Sequence, residues 1–262
     1  MPDLFEEIVR LRRAGEPAAL ATVVRTEGSS PGAESMKMLV RMDGTHMGTV
    51  GGGGLEARVT AAAREVLATD RPCVLEAALD ENDPDLGLAC GGTVQIFIEP
   101  VTVPVVCVFG AGHVGRAVAA SSKAAGFRVH LYDDRDGFAA AGPHVDAAAC
   151  HPWDQAVAAI APASHHYVIV MTRSHQDDLA VLLALWDQDC QPKFLGMLGS
   201  AAKRSKLTAA LAAAGADGGF VDRIVTPVGL PIGARTHEEI ATSVAAQLVA
   251  LRRGDGSVTG PH

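Results

Sequence analysis

The sequence predicts an α/β protein: a C-terminal Rossmann-like, doubly wound parallel sheet over residues 102–253, preceded by an N-terminal α+β domain over residues 1–101 and followed by a disordered tail over 254–262. Three observations predict it. Val105 to Phe109 is an apolar run that meets Gly110-x-Gly112-x-x-Gly115, continues into a helical pattern with Val114, Val118 and Ala125 on one face, and leads to a second apolar run ending at Asp133. Two later apolar runs, Tyr167 to Met171 and Lys193 to Leu198, suit buried parallel strands, and each is followed by a helix. Between the halves lies Glu99-Pro100-Val101-Thr102-Val103-Pro104, whose prolines fix the backbone and interrupt both sheet and helix.

With 262 residues the chain can fill two cores. Aromatics make up 4% of residues against 48% hydrophobic, which suits alanine-rich helices packed closely on a sheet. The 22 basic and 30 acidic residues leave a net charge of −8, which argues against nucleic acid or an anionic membrane surface as partner. Met1 to Glu7 lacks the basic and apolar regions of a signal peptide, and no apolar stretch approaches about 18 residues, so a cytoplasmic chain without a membrane span is expected. The five cysteines, Cys73, Cys90, Cys107, Cys150 and Cys190, are odd in number and form no CxxC pair, so neither a disulfide framework nor a structural zinc site is expected.

In the first half, Asp3 and Glu6 form a capping box for a helix carrying Phe5, Ile8, Val9 and Arg12 that stops near Gly15. Ala18 to Thr26 reads as a strand, and its exit, Gly28-Ser29-Ser30-Pro31, is either an ordinary turn or a set of donors for an anion. Met36 to Arg41 and His46 to Val50 flank Asp43-Gly44, a hairpin signal. Gly51-Gly52-Gly53-Gly54 then opens a helix predicted over Leu55 to Ala68, as a hinge or as a loop whose free N–H groups receive a ligand. After a strand over Val74 to Leu79 and an acidic loop over Asp80 to Asp85, Cys90-Gly91-Gly92 precedes an alternating strand, Thr93 to Glu99. That position leaves the Cys90 sulfur either reachable by a ligand or simply packed.

In the second half the three glycines of the turn either serve a nucleotide, Gly110 allowing the tight turn, Gly112 the approach of a pyrophosphate and Gly115 close helix packing, or serve only to pack the crossover. The N–H groups at His113 and beyond face the anion. Asp133 is placed to accept hydrogen bonds from ribose hydroxyls. Ala147 to Cys150 is a short apolar run, Trp153 to Ala161 a short helix, and His165-His166 a solvated strand entry. At the carboxyl end of a strand, Arg173 is either an anion clamp or a solvated surface group, and His175 either a donor or helix cap or likewise a solvated group; a helix over Leu179 to Trp186 follows. Gly199-Ser200 opens a helix carrying Lys203, Arg204 and Lys206. Ile224 to Ala234 reads as loop, and Thr236-His237-Glu238-Glu239 caps a final helix to about Arg252.

Several signatures taken together resemble the XdhC/CoxI family of xanthine dehydrogenase accessory proteins. They are Gly28-Ser29-Ser30-Pro31, Met38-Leu39-Val40, the four glycines with Glu56, Cys90-Gly91-Gly92, Gly110-Ala111-Gly112-His113, Thr172-Arg173-Ser174-His175 with Asp178, Gly196-Met197-Leu198-Gly199-Ser200, and Gly229 to Ala234 with Glu238-Glu239-Ile240-Ala241. The resemblance implies a two-domain protein that binds the molybdenum cofactor, as molybdopterin or its dinucleotide, assists its sulfuration and delivers it to a molybdenum hydroxylase. It implies as partners an apo-hydroxylase of the xanthine dehydrogenase type and a cysteine desulfurase, with a homo-oligomer as the expected assembly. Cofactor-binding residues would be Gly28, Ser29, Ser30, Gly52, Gly53, Gly54, Cys90, Gly91, Gly92, Gly110, Gly112, His113, Gly115, Asp133, Arg173, His175, Gly199 and Ser200, with Cys90 touching molybdenum or its sulfur. Two alternatives stay open: an NAD(P)-dependent oxidoreductase, and an interaction scaffold with a vestigial nucleotide fold.

Overall fold

The computed structural model describes residues 3–28, 33–78, 92–162 and 165–254. The chain divides into two compact units, Met1–Val103 and Pro104–His262.

The first unit is a five-stranded antiparallel sheet with a helix on each face. Helix α1 (Leu4–Ala14) has the full capping box at Asp3 and Glu6 and ends on Gly15 in the left-handed conformation. Strands β1 (Ala18–Glu27), β2 (Lys37–Arg41), β3 (His46–Gly48), β4 (Cys73–Ala78) and β5 (Thr93–Pro100) lie in the order β3-β2-β1-β5-β4. Alternation along β1 sends Ala18 and Leu20 toward Ile8 and Leu11 of α1, and Ala19, Ala21 and Val23 toward the opposite face. There α2 (Gly53–Thr69) buries Leu55, Val59, Ala63 and Val66. Glu7 ties α1 to the sheet, accepting from Arg10 at 2.9 Å and from Arg41 of β2 at 2.8 Å. Helix α2 starts two residues earlier than expected, so Gly53 and Gly54 form its first turn.

The second unit follows the predicted βαβ plan. Strands β6 (Val105–Phe109), β7 (Arg128–Asp133), β8 (Ala147–Cys150), β9 (His166–Val170), β10 (Phe194–Met197) and β11 (Ile224–Val225) form a sheet ordered β11-β10-β9-β6-β7-β8, parallel at every pairing. Strand order reverses between β6 and β9, which makes their carboxyl ends the switch point of the fold. Helices α3 (His113–Ala124) and α8 (His237–Arg253) share one face with Val106, Val108 and Phe127. Helices α4 (Trp153–Ile160), α5 (His175–Asp187), α6 (Ala201–Ala213) and α7 (Gly218–Asp222) cover the other, around Cys107, Phe109 and Trp153. No helix among the described residues is long and apolar enough to cross a membrane.

Three expectations are corrected here. Helix α5 begins at His175 rather than Leu179, because the Ser174 hydroxyl caps it by accepting from the Asp177 N–H at 3.1 Å. Ile224 and Val225, expected as loop, pair with Leu195 and Gly196; two residues carry no periodicity to read. His165-His166 is not a solvated entry: His166 is 9% exposed, opposite Val105 in a central strand, and the two rings lie 4.1 Å apart. The acidic segment 80–85, the Cys90-Gly91 pair and the tail from 255 onward lie outside the described residues.

Candidate functional site at the carboxyl edge of the parallel sheet

The turn between β6 and α3 separates the roles of its three glycines. Gly110 has φ +117, and a Cβ there would overlap the carbonyl oxygen of Met171 on the neighbouring strand. A Cβ on Gly115 would overlap the carbonyl of Gly110, so α3 sits on its strand at a separation glycine alone permits. Gly112 is different. Its φ of −68 is open to any residue, and nothing lies within 4 Å of where its Cβ would be. Neither backbone strain nor packing within the unit requires glycine at 112. Gly112 is also the N-cap of α3 and offers no side-chain cap, so the residue at the helix start takes up none of the first N–H groups. His113, the first residue of α3, stacks on His237, the first of α8, with centroids 5.5 Å apart and planes 16° from parallel.

Asp133 does not present its carboxylate outward. It is 1% exposed and accepts from the Ala111 N–H at 2.7 Å, from the Arg135 N–H at 3.0 Å, and from the Arg135 guanidinium at 2.7 and 2.9 Å. Burial by itself raises its pKa, and the hydrogen bonds from Arg135 and Ala111 more than reverse that, holding the carboxyl below its ordinary value. The expected ribose acceptor is thus a brace between β7 and the glycine turn, and Arg135 occupies its remaining lone pairs. Arg173 is also engaged, by Asp134 at 2.8 Å and Asp177 at 3.2 Å, though its side chain stays 46% exposed.

The strand ends after β9 and β10 are tied by a network that the sequence did not reveal. Asp178 is fully buried; it accepts from the Thr172 N–H at 3.0 Å and hydroxyl at 2.6 Å, and it pairs with Lys203 of α6. Lys203 also donates to the carbonyl of Leu198 at 3.0 Å. His175 and Ser200, the starts of α5 and α6, line one pocket beside this network, and Gly199 lies in contact with the Lys203 stem.

In the first unit, Gly52 does not offer its N–H to a ligand. Glu56 accepts it at 3.1 Å and also accepts from the Thr49 hydroxyl at 2.5 Å, with His46 at 3.6 Å from its other oxygen. The Glu56 carboxylate, one turn into α2, thus engages the Gly52 N–H of the four-glycine loop. Gly28 ends β1 with φ 72 and Gly92 is buried ahead of β5, whereas Ser29, Ser30, Cys90 and Gly91 are outside the described residues.

Comparison with known proteins follows this division. The family model for the XdhC Rossmann domain matches residues 106–248, and that for the XdhC and CoxI family matches residues 11–77. The chain belongs to the XdhC and CoxI family. This XdhC/CoxI chain is 31% identical over 255 residues to the uncharacterized protein YqeB of Escherichia coli (strain K12), covering 95% of this chain and 46% of that one. It is 27% identical over 164 residues to a probable xanthine dehydrogenase subunit of Bacillus subtilis (strain 168), covering 62% of this chain and 47% of that one. The chain thus spans about half the length of the curated relatives it matches. The crystal structure of a xanthine dehydrogenase from Bacillus halodurans aligns over 98% of this chain and 97% of that chain, with TM-score 0.52 and 22% identity, a likeness of fold.

Proposed function

We propose that this XdhC/CoxI chain is an accessory protein that binds the molybdenum cofactor, as molybdopterin or its dinucleotide, assists its sulfuration and hands it to a molybdenum hydroxylase of the xanthine dehydrogenase type. The observation that carries this reading is the open space over Gly112 at the uncapped start of α3. Backbone N–H groups from His113 onward would hold a phosphate there through the positive end of the helix, and Gly110 and Gly115 keep the turn in the one shape that aims them. That donor set fits a phosphate-bearing pterin. When bound, the cofactor supplies the dithiolene-held metal that the client enzyme uses. The work of this chain is sequestration and transfer, which asks for no general acid or base. A cysteine desulfurase would supply the sulfur, Cys90 would contact the metal or that sulfur, and the relative named as part of a xanthine dehydrogenase supports the client class.

An NAD(P)-dependent oxidoreductase would use the same turn, and would ask for a carboxylate presented to ribose hydroxyls. The engagement of Asp133 by Ala111 and Arg135 favours the carrier reading over it.

Mass spectrometry of the ligand retained after co-expression with cofactor-synthesis enzymes tests the proposal. Molybdopterin, with or without a nucleotide, is expected; retention of NAD(P) with hydride turnover overturns it. Cys90→Ser is expected to fold normally and to fail in activating the client in co-expression.

A further inference from the structure

Helices α5 and α6 lie on the face of the sheet opposite α3, and between them is a pocket of about 380 Å³, within the range of about 300–1,000 Å³ typical of small-ligand sites. Its lining is apolar at Leu179, Leu207 and Ala210, is basic at Lys203 and Lys206, carries His175, and includes no carboxylate. In a chain of net charge −8 that is a local reversal of sign.

The two lysines do different work. Lys203 is the countercharge of the fully buried Asp178 and also serves the Leu198 carbonyl, so its ammonium is committed to the fold. Lys206 is exposed and has no carboxylate partner among the described residues. Three positions along the helix from Lys203, it lines the same pocket, next to Leu207 in sequence.

We propose that this pocket is a second binding site of the unit, taking a small amphiphilic anion: a flat or apolar body seated on Leu179 and Leu207, with a phosphate, sulfonate or carboxylate facing Lys206 and His175. It lies against α5 and α6, on the face of the sheet opposite α3, and two of its lining residues, His175 and Ser200, are among the cofactor residues expected from the sequence. The probe is 8-anilinonaphthalene-1-sulfonate, an aromatic body with one anionic group, titrated by fluorescence into the full chain and displaced with adenosine 5′-monophosphate. One saturable class of sites is expected, displaced by the nucleotide. Lys206→Glu should weaken binding about tenfold or more, as loss of a charge-assisted contact does, and Ala210→Trp should abolish it by filling the pocket. Gly112→Asp, which blocks the phosphate turn, should leave the affinity unchanged, so the two sites are judged separately. Wild-type affinity in either Lys206→Glu or Ala210→Trp, or weakened binding in Gly112→Asp, overturns the site. Lys206 is exposed, and thermal melts matching the wild type establish that the variant chain is folded.

Discussion

The carboxylate of Asp133 accepts a 2.7 Å hydrogen bond from the backbone N–H of Ala111, so the end of β7 holds the glycine turn between β6 and α3 in place. A carboxylate expected to meet a ligand instead shapes the backbone that would meet it. Asp133→Ala should therefore act on stability first. Removal of a buried, multiply bonded acceptor should cost about 3 kcal/mol, read as a lower midpoint in urea with unchanged slope. An unchanged midpoint would contradict the bracing role.

The three turn glycines should separate by mechanism. Gly115→Ala and Gly110→Ala push a methyl group into backbone carbonyls and should each cost about 3 kcal/mol or more, or prevent folding. Gly112→Ala meets nothing within 4 Å and should change stability by about 0.5 kcal/mol or less, while lowering retention of a phosphate-bearing ligand. Calorimetry and ligand recovery on the same three variants decide it.

Lys203→Met leaves Asp178 buried without its countercharge and should cost about 3–5 kcal/mol. Asp178→Asn combined with Lys203→Met should cost less than the sum of the two single changes, because the second removes the charge that the first stranded. A denaturation double-mutant cycle measures this coupling; strict additivity would show that the pair acts independently.

Acid should weaken the second unit before its carboxylates titrate. Burial lowers the pKa of His130 to about 4, with Arg128 adding to the shift and Asp146 opposing it. Burial, with His165 and His130 nearby, lowers that of His166 to about 3, and burial also lowers His165. These groups are neutral in the native state, whereas unfolding returns them to about 6.5. As pH falls below 6.5 the unfolded chain binds protons that the native state refuses, so stability declines progressively toward pH 4. Asp133 and Asp146, held below their ordinary pKa against the opposing effect of burial by Arg135 and Lys123 respectively, add their loss only below about pH 3.8. Urea midpoints measured from about pH 7.5 to 4 should show the first decline, and His130→Gln should flatten part of it.

Sequence patterning reached furthest where a structure repeats or a cap is local. The capping boxes at Asp3 and Thr236, the hairpin at Asp43-Gly44 and the run from Val105 to Asp133 are all settled by neighbours a few residues apart, and the structure reproduces them. The parallel, doubly wound plan follows from the alternation of apolar runs and helices, whereas the strand order came from the structure and β11 was too short to announce itself. Site residues were harder to read, because what a polar side chain does depends on which group reaches it first. Asp133, Arg173 and the Gly52 N–H all sit where a ligand contact was expected, and all are engaged by partners within their own unit.

The amino-acid order alone determined that this chain folds as two units, that the second is a Rossmann domain, and that glycine stands at 110, 112 and 115. Only the tertiary structure decided that Gly112 faces open space while Gly110 and Gly115 answer to backbone carbonyls, and that Lys203 is bound to Asp178 while Lys206 remains available. The reason is physical: secondary structure responds to periodicity along the chain, whereas a donor, acceptor or charge is free or committed according to groups that folding brings from 20 or more residues away, as from Asp133 to Ala111 and from Lys203 to Asp178.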